Sequence, residues 1–417
     1  MFQFIYSLLI RLALPFILIR LWWQGRQSPA LRRDWQHRLG FVPALKEPVI
    51  WVHAVSVGET IAAGPMVRRL LAHNLDATIL MTAMTDTGRA QAQKMFGDQV
   101  SYAYAPYDTP GSIRRFVKRA RPGILVILET EIWPNMITQC RQNKVPVFLI
   151  NARLSARSAR GYERVRWLAA PVMNSITWVA AQADMDAERF RHIGVVPSHV
   201  EVTGSVKFDV DIPDDVRAAS AAFRQQTGGR RVWIAGSTHA GEDRQLLAAH
   251  QQVLARHPDA LLIIVPRHPE RFDSVAHLAR TQGFTVARRS AGESPDHAQV
   301  YIGDTMGELM MLYGASDLAF VGGSLIERGG HNPLEPAAWG IPVLSGPHVF
   351  NFETIYERML AGRGGELVRD SDQLAHALIL LFNEANRRKA FGQRALAVVT
   401  ANRGALDRVV EGIVERL

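Results

Sequence analysis

The sequence predicts an α/β chain: two Rossmann-like domains facing across a cleft, preceded by an N-terminal membrane-anchor helix. Three observations carry this. From Pro48 to about Thr203, apolar runs of strand length alternate with helical patterns, the order that builds a parallel sheet covered on both faces. The alternation breaks at GSVKFDVDIPDD and then restarts. The stretch from Phe2 to Trp23 is predominantly apolar, interrupted by Arg11, Pro15 and Arg20. A length of 417 residues suits two domains.

In the first domain, strands are expected at Val49–Ala54, Ala77–Thr82, Val100–Ala103, Gly123–Leu128, Val145–Ile150 and Ile176–Ala180. Helices are expected at Thr109–Ala120 and Asp184–His192. In the second, strands are expected at Arg231–Ala235, Ala260–Val265, Gln299–Ile302, Leu318–Val321 and Pro342–Leu344, with a helix at Gly241–Arg256 and helical, polar-faced chain from about Asp370. The expected divisions are an anchor over 1–25, a first domain over 26–208, a linker at 209–215, a second domain over 216–390 and C-terminal helices over 391–417. A cleft between two such domains is a preferred ligand site.

Composition narrows the class. With 47% hydrophobic and 21% charged residues, the chain is of the folded kind. The lone cysteine, Cys140, excludes an internal disulfide and a thiolate cluster. A net charge of +9 favours anionic partners, yet no zinc-finger spacing or RNP-like motif occurs, so no nucleic acid is expected. The apolar N-terminus is long enough to span a bilayer, which takes about 20 residues, but a central arginine is costly there. No small-residue cleavage site follows it. Trp22 and Trp23 suit an interfacial belt, and Arg26, Arg32, Arg33 and Arg38 follow, so the remaining chain is expected on the cytoplasmic side. Spanning and interfacial placement both fit, and a buried core helix is the alternative.

The stretch WVHAVSVGET (51–60) poses the first chemical question. It reads as a strand running into a helix, with Glu59 at the turn. Ser56-x-x-Glu59 matches a capping box, and a carboxylate suits the positive helix end. The same turn lies at the carboxyl end of a strand, where open α/β sheets bind ligands. Both readings stand on this stretch alone.

The second half carries FVGGSLIERGGHNPLEPAAWG. A glycine-flanked helix start at Asn332-Pro333 offers free amides for a phosphate, with Leu334 and Glu335 following; the plain alternative is a capped turn. Arg267 and His268 follow the strand ending at Val265, as an anion fork or as loop charges. Gly307, Glu308 and Leu309 open a helix past another strand. Ser237 and Thr238 are either caps or contacts to a bound sugar acid. No G-x-G-x-x-G follows a strand and no P-loop motif is present, which disfavours a nicotinamide enzyme and a P-loop phosphotransferase.

The ordered set WVHAVSVGET, ETEIWPN, NARLSARS, TGSVKFD, AGSTHAGED, VPRHPERF and GGHNPLEPAAWG closely resembles the 3-deoxy-D-manno-octulosonic acid (Kdo) transferases of lipopolysaccharide synthesis, from the N-terminus to about Glu357. The resemblance implies a GT-B glycosyltransferase that inverts configuration and moves Kdo from CMP-Kdo to the tetraacylated lipid A precursor. It implies the cytoplasmic face of the inner membrane as its location. It implies Glu59 as general base, Glu129 or Glu131 together with Lys207 as transition-state stabilisers, and CMP held by Arg267, His268, Gly307–Leu309 and Asn332–Glu335. Lys207 as an ordinary linker lysine is the alternative. The two D-x-D triplets, at 184–186 and 209–211, lie outside the expected donor domain, and the donor has a single phosphate, so no metal and no cofactor are expected. Two other functions fit less of this pattern: a GT-B enzyme using a UDP-sugar on a membrane lipid, and a non-catalytic nucleotide-binding scaffold.

Overall fold

The computed structural model describes residues 2–26, 32–46, 48–73 and 75–417. Residues 1, 27–31, 47 and 74, within the expected anchor and first domain, lie outside the described residues. The chain divides into two compact units, 1–207 with 403–417, and 208–402.

The first unit opens with α1 (Phe2–Gln24) and then alternates: β1 (Val49–His53), α2 (Val57–Ala72), β2 (Thr78–Ala83), α3 (Asp86–Phe96), β3 (Ser101–Tyr104), α4 (Pro110–Ala120), β4 (Pro122–Leu128) and α5 (Pro134–Gln142). It continues with β5 (Val147–Ala152), α6 (Ala156–Arg164), α7 (Arg166–Met173), β6 (Trp178–Ala181), α8 (Asp184–His192) and β7 (Val200–Val202). Its seven strands are all parallel, in the order β3-β2-β1-β4-β5-β6-β7. Residues of β1 and β4 alternate between two cores: Trp51, Leu125 and Ile127 enter one, while Ile50, Val52, Ile124 and Val126 enter the other. A strand buried on both faces needs an unbroken apolar run, and β1 is buried along its whole length.

The second unit begins with α9 (Asp214–Gln226), β8 (Val232–Thr238), α10 (Asp243–Arg256), β9 (Leu261–Pro266), α11 (Phe272–Thr281), β10 (Val286–Arg288) and β11 (Val300–Ile302). It continues with α12 (Leu309–Gly314), β12 (Leu318–Val321), α13 (Leu334–Ala338), β13 (Val343–Ser345), α14 (Glu353–Ala361), β14 (Gly365–Leu367), α15 (Ser371–Asn383) and α16 (Ala385–Ala401). This sheet also has seven parallel strands, ordered β10-β11-β9-β8-β12-β13-β14. The last helix, α17 (Ala405–Val414), returns to the first unit, where Leu406, Val409, Val410 and Ile413 fill the core beside α2.

Two stretches differ from their expected roles. Within the stretch expected as a linker, Ile212 is core: it is buried with Val321 and Leu334 of the second unit and with Phe208, expected as the end of the first domain but grouped with the second. The expected C-terminal helical block is divided, with α16 in one unit and α17 in the other.

Helix α1 is the one described helix long and apolar enough to cross a membrane by length and composition. Leu9, Leu12, Phe16, Ile19 and Trp23 are exposed, a continuous apolar surface far beyond what a water-facing helix carries. At its end the Arg26 and Arg32 guanidinium groups lie 4.8 and 4.9 Å from the Trp22 ring. Of the arginines that follow it, Arg38 is not a surface charge. It is buried over the Tyr104 ring and donates to the Met84 carbonyl.

Candidate active site

The strand order of each unit fixes where its polar residues gather. In an open parallel sheet the connections reverse direction at one point, and the strand ends there diverge to leave a crevice. In the first unit that point lies between β1 and β4, which are paired neighbours. The chain leaving β1 carries Glu59, and the chain leaving β4 carries Glu129 and Glu131.

Glu59 answers the capping question with bonds on both oxygens. Its amide donates to Ser56 Oγ at 3.3 Å, and the Ser56 hydroxyl returns a bond to Oε1 at 2.9 Å. Oε2 accepts from the Val55 amide at 2.8 Å, so the side chain reaches back one residue further than the usual capping box. A carboxylate has about four lone-pair sites, so both oxygens keep acceptor capacity. Burial raises the Glu59 pKa, the Val55 and Ser56 bonds oppose the rise, and the carboxylates of Glu131 and Glu129 add to it.

Glu129 adopts a left-handed backbone at φ 57°, a conformation that costs a non-glycine residue about 1–2 kcal/mol. Its amide is held by the Ile150 carbonyl at 2.9 Å, and its carboxylate meets Lys207 Nζ at 3.0 Å. Glu131 instead accepts the Trp133 indole N–H at 2.8 Å. Glu59, Glu129, Glu131 and Lys207 therefore form one cluster within the first unit, although they are up to 148 residues apart in sequence. What brings Lys207 in is Asn151, a residue that sequence reasoning passed over. Fully buried at the end of β5 with φ 51°, it accepts from Ser205 Oγ and the Val206 amide, both at 3.2 Å. Asn151 opens the NARLSARS stretch, and its place after an apolar strand was the available signal.

In the second unit the reversal lies between β8 and β12. The loop after β8 holds Ser237, Thr238 and His239; the loop after β12 holds Gly322 to His331. Gly322 packs so tightly that a Cβ there would lie 2.6 Å from the Ser237 carbonyl, so the two loops approach backbone to backbone. Between them sits Glu242, fully buried, which accepts four amides: His239 at 2.9 Å, Gly323 at 2.7 Å, Ser324 at 2.9 Å and Leu325 at 3.0 Å. Such a row of amides is the kind that cradles phosphate. Here an internal carboxylate occupies it.

Cationic and imidazole groups are left to meet an anion. His239 and His331 stack with planes 2° apart and centroids at 5.1 Å, and their Nε2 atoms are 2.8 Å apart. Burial first, and then the surrounding positive groups, Arg267 and His268 among them, lower both pKa values to about 4. The His268 ring is 5.2 Å from His239, and Arg267 and His268 are exposed. The Glu335 carboxyl is pushed up by burial, against the pull of Asn332 and Arg267. Sequence reasoning gave no role to His239 or Glu242 and counted His331 only within a glycine-rich binding turn, although all three lie in motifs already singled out.

Other expected contacts are more constrained. Thr238 is fully buried, its hydroxyl donates to Asp243 at 2.9 Å, and its carbonyl accepts from the Arg267 amide and Arg271. It belongs to the loop's internal bonding and does not cap α10, whose N-cap is Glu242. Ser237 takes φ 57° beside it. Pro333 and Leu334 are buried. Asn332 Oδ1 accepts from the Leu334 amide at 3.1 Å, and the helix that follows, α13, has five residues, so its dipole is small. Glu308 is gripped by Arg289 at 2.7 and 3.0 Å, which holds its pKa down. Gly307, at φ 92°, and the Leu309 backbone stay beside it, and α12 is tied to the C-terminal end of α13 by the Trp339 N–H on the Met310 carbonyl at 2.9 Å. Asp186 of the first D-x-D triplet accepts the Leu154 amide at 2.9 Å. Among the described residues no group of three or more acidic, histidine or cysteine side chains is placed to hold a metal.

Two parallel α/β units, each with its polar cluster at the reversal of its sheet, define a chain of the GT-B class. A solved UDP-GlcNAc 2-epimerase from Neisseria meningitidis shares this fold, with TM-score 0.59 and 14% identity over 88% of this chain and 100% of that one. The profile of the family described as 3-deoxy-D-manno-octulosonic-acid transferase (kdotransferase) matches residues 33–210. A 3-deoxy-D-manno-octulosonic acid transferase of Haemophilus influenzae is 39% identical over 99% of this chain and 98% of its own length. One from Bordetella pertussis is 36% identical over 99% of each. The chain belongs to the 3-deoxy-D-manno-octulosonic acid transferase family.

Proposed function

We propose that this chain transfers Kdo from CMP-Kdo to a hydroxyl of the lipid A precursor, with inversion, in lipopolysaccharide synthesis at the cytoplasmic face of the inner membrane. The single observation that carries the reading is the carboxylate cluster of the first unit, built by a chain of this family. In the reaction the acceptor O–H loses its proton to Glu59 as the oxygen bonds to the anomeric carbon of Kdo. The bond from that carbon to the phosphate oxygen breaks, and CMP leaves with the electron pair. Glu59 is suited to this because burial lifts its pKa toward the working pH, where a general base is most effective.

Glu129 and Glu131 take different parts. Glu129 is neutralised by Lys207, and the pair holds the ammonium group at a fixed position to meet negative charge growing on the departing phosphate. Glu131 meets only the neutral Trp133 N–H among the described residues. Its carboxyl group is available to face the positive charge that develops on the sugar. In the second unit Arg267 supplies positive charge for the donor's anionic groups, and the imidazoles of His268, His239 and His331 supply hydrogen-bonding nitrogens beside it. Asn332, Glu335 and the backbone of Gly307–Leu309 supply hydrogen bonds. Helix α1, with Trp22 and its arginine partners, suits a membrane boundary.

Purified full-length protein given CMP-Kdo and lipid A precursor should yield a product heavier by one or more Kdo units in mass spectrometry. Titration with CMP and UDP should show a preference for CMP. No mass increase, or tighter binding of UDP, overturns this function in favour of a UDP-sugar transferase.

A further inference from the structure

We infer that α1 is a positioning element as well as an anchor: Tyr6, Ser7, Asp108 and Asn135 clamp it to the start of α5 and so hold the acidic loop 129–133 in place. The inference rests on the function proposed above, because that loop is taken as part of the reacting site.

The clamp is built from buried polar atoms. The Tyr6 hydroxyl donates to Asp108 Oδ2 at 2.9 Å. The same carboxylate accepts the first free amides of α5, Asn135 at 3.1 Å on Oδ2 and Met136 at 2.7 Å on Oδ1. Asn135 closes the circuit: its Nδ2 donates to the Asp108 carbonyl at 2.6 Å, and its Oδ1 accepts from Ser7 Oγ at 2.8 Å. Ser7, Asp108 and Asn135 are all buried. On a helix otherwise open to its surroundings, Ser7 is the residue pressed into the protein.

A tether has no use for such a contact. A buried polar group that loses its partner is left with its desolvation cost uncompensated, so this pairing fixes both the depth and the rotation of α1 against the first unit. The next link is covalent. Trp133 immediately precedes α5, and its indole holds Glu131 at 2.8 Å. Glu131 in turn acts on the charge of Glu59. A shift at the start of α5 therefore moves the carboxylate assigned to the developing sugar charge, and α1 is what seals that start.

The test uses the full chain in detergent micelles at saturating CMP-Kdo and lipid A precursor, so that membrane capture does not limit the rate. Tyr6→Phe combined with Ser7→Ala should lower kcat roughly fivefold to tenfold, the loss of one or two buried hydrogen bonds. The KM for acceptor and the affinity for CMP should stay within about twofold. Amide hydrogen exchange at Asn135 and Met136 should quicken in the same variant. Leu12→Ser with Phe16→Ser, which changes exposed apolar side chains only, should raise acceptor KM and spare kcat. If the Tyr6/Ser7 variant keeps the parent's kcat and exchange rates, α1 is a tether and the inference fails. Should that double variant not fold, Tyr6→Phe alone carries the same two readouts. A parent protein that transfers no Kdo would refute the proposed function, while hydrogen exchange would still report on the clamp.

Discussion

Glu59 shows how one side chain serves two demands at once. Its bonds to Ser56 and Val55 fix the turn that starts α2, and under the proposed function the same bonds hold the carboxylate in a single orientation for taking the acceptor's proton. Glu59→Gln keeps the shape and one acceptor oxygen, so the cap survives in large part while the base is lost. Transfer should fall roughly 10²–10⁴-fold, with CMP affinity and thermal midpoint close to the parent's; turnover within tenfold of the parent would leave Glu59 a cap only. The direction of the pKa shift gives the pH dependence. The base works deprotonated, and burial raises its pKa, so kcat/KM should decline on acidification at a pH above the ordinary glutamate value near 4.3. In Glu59→Gln that acid limb should vanish. The neighbouring glutamates should separate as well. Glu131→Gln should cost more in kcat than Glu129→Gln if the charge facing the sugar is that of Glu131, and the reverse ranking would exchange their roles.

At the scale of elements, legibility followed burial. The long inner strands β1, β4, β8 and β9 read as unbroken apolar runs because both faces are covered. Short inner strands such as β11 and β13 are buried at all three positions and were legible too. The missed strands are β7, β10 and β14, each of three residues at a sheet edge with mixed burial. An edge strand has one neighbour and need not be apolar, so nothing local marks it. The candidate site divides the same way. Glu59, Glu129 and Arg267 could be picked out because each lies in the turn after a strand. Asn151 and His239 sit at strand ends as well, but what they do depends on partners from other elements, Ser205 and Val206 for one and His331 for the other, which no local pattern reports. Asn151 gives this a test: Asn151→Ala removes the acceptor for Ser205 and the Val206 amide and frees the segment that carries Lys207. Its kcat should drop by about tenfold or more, and Lys207→Ala added to it should cost much less than in the parent, because residues acting as a unit are not additive. Additive losses would mean that Lys207 is held by something else.

At the scale of the whole molecule a net charge of +9 is joined to one described helix long and apolar enough to cross a membrane. Leu12 and Phe16 are 61% and 74% exposed, and burying side chains of this size is worth about 1.5–3 kcal/mol apiece. Several such residues in hydrocarbon would hold the protein at a bilayer without a second anchor. Deleting Phe2–Trp23 should therefore release the protein from anionic vesicles in a flotation assay and raise the apparent KM for vesicle-borne acceptor, because capture then depends on three-dimensional diffusion. CMP affinity should change little, since the second unit holds its own core and loop bonds. The same deletion takes away Tyr6 and Ser7, so kcat should fall too, even with acceptor in micelles. A truncated protein that still floats with vesicles would move the membrane contact to another surface. Arg68 and the run Arg157, Arg160 and Arg164 on α6 are then the first positions to neutralise, because Arg69, at an equally basic place, is already paired with Asp407.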